Sequence, residues 1–250
     1  SQVNPTNNPT AASNDDLHFI GILATEDGTS VQVTGNPHPL NGFATPGTIL
    51  LQKGQGIVLR SNTQNETIAG TRIQSNKPIA VTSGGNHIRN RAVAGTAADA
   101  GIDNLIPANS VGNTYFAVKG GATQTNEYLV IIPTSSTTIR VNGVSVGGTL
   151  AAGQVFVHTF PSADPIGRAY FIELSAPSYV YQVTGRNNSN ELGMCLLPPS
   201  ICTGAPYVAF NLIPQFTHEM TVMLPTASVQ SFRLNGRSLQ QLGITPTPMS

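Results

Sequence analysis

From Leu17 onward the chain alternates between short apolar runs and breaks of Gly, Pro, Asn, Ser or Thr. The runs fall at 19–23, 31–33, 49–51, 57–59, 79–81, 115–118, 128–132, 139–141, 155–158, 170–174 and 179–183, and then at 207–212, 220–224 and 232–234. Most of them alternate in polarity, as in Thr138-Ile139-Arg140-Val141-Asn142. A period of two marks a strand with one face buried, and frequent turn residues between runs mark an antiparallel chain. Only residues 92–101 read as a candidate helix, and two glycines within them weaken it. The pattern predicts an all-β fold, with a loose tail over residues 1–15, where Asn-Pro occurs twice and no periodicity is present.

The pattern also repeats. Glu127-Tyr-Leu-Val-Ile-Ile-Pro133-Thr134, followed by Ile139-Arg-Val-Asn142-Gly143, returns as Glu219-Met-Thr-Val-Met-Leu-Pro225-Thr226, followed by Phe232-Arg-Leu-Asn235-Gly236. A weaker copy starts at Leu17, with Ala24-Thr25 and then Val31-Gln-Val-Thr34-Gly35. A second block agrees: Leu105-Ile106-Pro107 then Tyr115-Phe116-Ala117 matches Leu196-Leu197-Pro198 then Tyr207-Val208-Ala209. Ile79-Ala-Val-Thr-Ser-Gly84 echoes Val180-Tyr-Gln-Val-Thr-Gly185. Fixed-offset self-similarity is the signature of tandem units. These boundaries predict two tandem antiparallel β-sandwich-like units, 16–121 and 122–214, and a partial third, 215–250, that begins as a hairpin. Asn-Gly at the turns favours the type I′ geometry that joins twisted strands.

Composition narrows the function. Twelve basic residues balance twelve acidic ones, and only 10% of the chain is charged, against about 25% in an ordinary globular domain. Without a basic excess, nothing points to nucleic acid or to an anionic membrane surface. No apolar run approaches the roughly 18 residues of a membrane-spanning helix. A surface of Thr, Asn, Ser, Gln and Gly in place of Lys and Glu points to an extracellular or particle-surface setting.

One stretch resembles a known family. Thr71-Arg72-Ile73, followed by Ser75-Asn76-Lys77-Pro78-Ile79-Ala80-Val81-Thr82-Ser83-Gly84, is similar to a strand motif of the IgGFc-binding protein N-terminal domain family, including its bacterial cell-surface members. Asp103-Asn104-Leu105-Ile106-Pro107 and Gly112-Asn113-Thr114-Tyr115 resemble the segment that follows it there. The resemblance implies a secreted or cell-surface module of the adhesin type, in which these motifs set strand starts and turns. It carries over no catalytic residue.

A search for chemistry agrees with a non-enzymatic reading. Ser83, His87 and Asp99 are the one conceivable nucleophilic triad, but position 81 is Val, where the nucleophile elbow needs Gly. The twelve acids are scattered, and Trp is absent, so neither a glycosidase pair nor a Trp sugar platform is indicated. No cofactor is indicated. Calcium is the one ion to consider, at Asn14-Asp15-Asp16 or Asp99/Asp103-Asn104, yet the Asp-x-Asp-x-Asp spacing is missing. Residues 84–104 read as a long loop carrying His87, Arg89, Arg91, Asp99 and Asp103, the densest group of charged and His side chains and the candidate binding site. Cys195 and Cys202 are seven positions apart across two prolines: either a small disulfide loop or two thiols flanking a strand. The expected partner is a protein or glycan at the cell surface. The alternative is a structural subunit of an extracellular filament or coat, joined to its own copies by strand exchange through the tail or the partial third unit.

Overall fold

The structure, a computed structural model, describes residues 17–248 apart from 37, 42, 45, 64–65, 67, 89–98, 123–126, 188–191, 203, 210–214 and 216–219. It describes the backbone alone at 86–88, 99–100, 122, 186–187, 192 and 202. The described residues contain strands and three single-turn 3-10 helices but no α-helix. The all-β expectation holds.

Seven strands build a first sandwich: β1 (His18–Ala24), β2 (Thr29–Thr34), β3 (Gly47–Leu51), β4 (Gly56–Arg60), β5 (Arg72–Ser75), β6 (Ile79–Ile88) and β7 (Asp99–Asn104). One sheet runs β4-β1-β6-β7, the other β3-β2-β5. Alternation decides the packing. Ile20, Ile22 and Ala24 from β1 meet Val31 and Val33 from β2, with Leu51, Leu59 and Ile68 completing a buried core. Burying one such aliphatic side chain stabilises by about 1.5–3 kcal/mol.

The remaining nine are β8 (Thr114–Val118), β9 (Gly121–Ala122), β10 (Tyr128–Pro133), β11 (Thr137–Val141), β12 (Val144–Leu150), β13 (Phe156–Thr159), β14 (Ala169–Leu174), β15 (Ser178–Asn187) and β16 (Leu192–Leu196). They form sheets β13-β10-β15-β16 and β12-β11-β14-β8, with β9 pairing in parallel to β15. Tyr115, Leu129, Ile131, Ile139, Phe160, Tyr170 and Ile172 fill the core between them. β10 is buried on both faces, because Tyr128, Val130 and Ile132 pack in a further cluster with Tyr181, Val183 and Leu105.

Corresponding bonds recur in both sandwiches. Thr25 Oγ1 donates to Pro78 O at 2.7 Å, and Thr134 Oγ1 donates to Pro177 O at 2.6 Å. Gly54 N donates to Ala24 O, as Gly153 N does to Pro133 O, and Leu105 N donates to Val81 O, as Leu197 N does to Val180 O. Ile79 lies opposite Ala24, and Ser178 opposite Pro133. The pairing therefore aligns Ile79 with Ser178, two residues before the Val180 that sequence similarity suggested. A ladder bond fixes register where apolar similarity alone tolerates a slip of two.

Three expectations need correction. β8, assigned to the first unit, pairs with β14, so it belongs to the second sandwich and the boundary lies before it. Residues 84–104 are not one loop: β6 extends to Ile88 and β7 begins at Asp99, which also removes the last residues of the candidate helix. Residues 220–224 form no strand, and Leu234 makes only an isolated bridge to Arg237 around Asn235-Gly236, both at positive φ. An apolar hairpin with no sheet to join is marginal in water. The chain divides into two compact units, Ser1–Thr203 and Gly204–Ser250.

Candidate functional site

Two long hairpins stand side by side. β6 and β15 are each ten residues long, and each is followed by an antiparallel partner, β7 or β16. Their outer strands meet where the Asp103 carboxylate of β7 accepts the Leu196 N–H of β16 at 2.5 Å and its own neighbour's Asn104 N–H at 2.8 Å. An edge strand leaves such N–H groups unpaired, and a carboxylate bound to them gives a charge-assisted bond stronger than a neutral one. Further along the chain, Tyr179 Oη donates to Ile106 O at 2.8 Å, near the base of β15. Moving from Asp103 to Ile106 thus leads from Leu196 toward Tyr179, away from both hairpin tips. The stems therefore point the same way.

Asp103, one of the candidate binding residues, also acts as a clasp between the stems. The cause is the partner Leu196, far away in sequence, which spacing within 84–104 could not reveal. His87 lies near the tip end of β6, and Asp99 opens β7 opposite Ile88. Their side chains, and the whole of Arg89 and Arg91, lie outside the described residues. Ile102, beside the clasp, is exposed. A side chain at Gly84 would collide with the Gly101 carbonyl and the Ile102 Cα of β7, so the glycine ending the family-like motif permits the close approach of β7.

The clasp has an electrostatic surrounding. Burial raises the Tyr181 phenol pKa, and the Asp103 charge and Tyr179 raise it further. The Tyr181 hydroxyl is buried without a hydrogen-bond partner. Cys195, on the exposed side of β16, has its thiol pKa raised by the packed wall beneath it and by Asp103, against the lowering effect of a backbone hydrogen bond at Gln182. A raised pKa keeps the thiol protonated and unreactive. Cys195 is a free thiol, while the Cys202 side chain lies outside the described residues. Among the described residues no three His, Cys, Asp or Glu side chains gather as metal ligands. Of the calcium candidates, residues 14–16 and the Asp99 side chain also lie outside them.

Glu127 is the acidic residue that the strand pattern placed at the start of β10. It is buried, accepts Gly120 N–H at 2.7 Å, and accepts Thr184 Oγ1–H at 3.1 Å. It ties the chain after β8 to β15. Ser83, the nucleophile of the rejected triad, is buried on β6.

Comparison with known families decides the affiliation. A family model described as IgGFc binding protein matches residues 3–250. The chain belongs to this family. It is a binding family, typically extracellular and not known for enzymatic activity. No curated protein and no solved structure matches. No helix among the described residues is long and apolar enough to cross a membrane.

Proposed function

We propose that this member of the IgGFc-binding family is a non-catalytic cell-surface interaction module of the adhesin type, which recognises a protein or glycan through the loops that join β6 to β7 and β15 to β16. The observation that carries this reading is the side-by-side stance of two ten-residue stems joined by the Asp103–Leu196 bond. The two stems have a common direction, so the strand ends at Ile88 and Asp99 lie on the same side as those at Asn187 and Leu192, and binding loops are generally carried on such scaffolds. His87, Arg89, Arg91 and Asp99 supply the polar chemistry, with arginine suited to bidentate contact with carboxylates.

Replacing residues 89–98 by a short Gly-Ser linker tests it. Protein and glycan arrays probed with both chains should lose their signal with the replaced loop while the circular dichroism of the sheets is retained. Unchanged array binding would remove this loop from the interface and leave the reading without its principal residues.

A further inference from the structure

The two sandwiches differ at one sheet edge, and the chain carries a segment that matches the difference. In the second sandwich β14 has β8 as its outer neighbour, with Ile172 opposite Tyr115 and Tyr170 opposite Ala117. β8 comes directly after the Leu105-Ile106-Pro107 that ends the first sandwich, so it is a strand handed forward to the next unit. Tyr115 is its anchor: the ring is 1% exposed, and the hydroxyl donates to Ser178 O at 2.6 Å. Gln182, opposite Leu129 on β10, also secures it by donating to Val118 O at 2.6 Å and accepting Val118 N–H at 3.4 Å.

Among the described residues, the first sandwich has the same sites without that strand. β5 lies on β2 in the register that β14 takes on β11: Val31 opposite Ser75 and Val33 opposite Ile73 correspond to Ile139 opposite Leu174 and Val141 opposite Ile172. Among the described residues nothing pairs with the outer side of β5. Arg72, Gln74 and Ser75 are exposed, where β14 alternates between buried and half-buried positions. Asn76 N–H donates to Ser30 O on the β2 side, so alternation directs the Ile73 and Ser75 amides toward the open edge. Leu174 N–H does likewise and finds Asn113 O at 2.8 Å. Ser83 stands opposite Ile20, as Gln182 stands opposite Leu129, and its hydroxyl is buried at 1% exposure with no hydrogen-bond partner among the described residues.

A donor of the right kind is present. After Leu196-Leu197-Pro198 comes Tyr207-Val208-Ala209, the counterpart of Tyr115-Phe116-Ala117 after Leu105-Ile106-Pro107. Tyr207 is 82% exposed, Val208 is 68% exposed, and neither belongs to a strand. The first fourteen residues of the chain hold no aromatic residue and carry Pro5 and Pro9, so they do not reproduce the β8 pattern.

We propose that Tyr207-Val208-Ala209 of one copy adds as an edge strand to β5 of a second copy, reproducing between chains the β8–β14 pairing within one. Strand addition draws affinity from main-chain hydrogen bonds and specificity from pockets for alternate side chains. Tyr207 would take the Tyr115 place, with Ile79 O as the counterpart of Ser178 O. Donor and acceptor are different surfaces, so the contact is head-to-tail and extends into a row of copies. The inference goes beyond the loop-binding reading and stands without it.

Sedimentation velocity on three chains tests it: the native one, Tyr207→Asp as a donor-dead form, and Ser75→Pro as an acceptor-dead form that removes an outward N–H. The native chain should show a ladder of species that grows with concentration. Each variant alone should be monomeric, and an equimolar mixture should yield dimers and nothing longer, since one open edge and one intact donor remain. Dimer formation in the mixture also shows that both variants are folded. If Ser75→Pro does not fold, Tyr207→Asp with the native chain should shorten the ladder instead. A native chain that stays monomeric at high micromolar concentration, or a ladder unaltered by Tyr207→Asp, would overturn the proposal. So would full amide protection of Ile73 and Ser75 in the dilute monomer, which would assign the edge to the chain's own residues.

Discussion

At the residue scale, Asp103 has a structural role that its place in the sequence does not reveal. It stood in the densest polar stretch and read as part of a binding loop, yet its oxygens hold backbone N–H groups of β7 and β16. Asp103→Ala should therefore lower stability by about 1–3 kcal/mol, the cost of leaving partly buried donors unpaired. Asp103→Asn, which keeps an acceptor, should cost less, and urea unfolding will rank the two. Titratable groups give a pH signature. Burial lowers the His158 pKa below 6.5, in contact with Phe160 and Tyr170. The unfolded chain binds that proton more readily, so the stability from His158 is full above pH 6.5 and is lost as pH falls from there. His158→Gln should flatten this slope in unfolding experiments run across the mildly acidic range. The phenols of Tyr128, Tyr170, Tyr179 and Tyr181 shift upward from 10.0, chiefly through burial. They act in the opposite direction: their contribution is present below pH 10 and is lost as pH rises past it. Phenolate absorbance from these four should consequently appear together with loss of sheet signal.

At the scale of elements, turns and ladders account for what could be read in advance. Asn142 and Gly143 both have positive φ, and Asn142 Oδ1 accepts Phe171 N–H at 2.8 Å, tying the β11–β12 turn to β14. A methyl at Gly143 would meet nothing within 4 Å. Gly143→Ala should thus lose roughly 1 kcal/mol through backbone conformation alone, measurable as a lower denaturant midpoint. β1 and β14 were legible because their alternating apolar faces are the cores, and β10 because it is an unbroken apolar run buried on both faces. β7 and β12 were not: Asp99-Ala-Gly-Ile-Asp-Asn104 and Val144–Leu150, of which only Val146 and Leu150 reach the core, hold their places by ladder bonds at a sheet edge, which leave no hydrophobic period. Residues 220–224 show the converse. Their pattern resembles β10, but a period specifies a face and not the neighbouring strands that would cover it. The Asp103–Leu196 clasp was hidden for a related reason, since it joins two edge strands that no local motif connects.

At the scale of the whole molecule, the two sandwiches share strand order and register and differ at one sheet edge among the described residues. The second sandwich has β8 on the outer side of β14; among the described residues nothing pairs with the outer side of β5 in the first, and the Ser83 hydroxyl has no hydrogen-bond partner; and Tyr207-Val208-Ala209 is exposed. An open edge invites strand addition, which would give the proposed binding loops a repeated display along a row of copies. Amide hydrogen exchange at Ile73 and Ser75, followed as native protein is concentrated, tests this most directly. Protection at these two amides should rise from the exposed level to that of Ile172 and Leu174, in step with the larger species. Amides that remain unprotected while larger species form would contradict it.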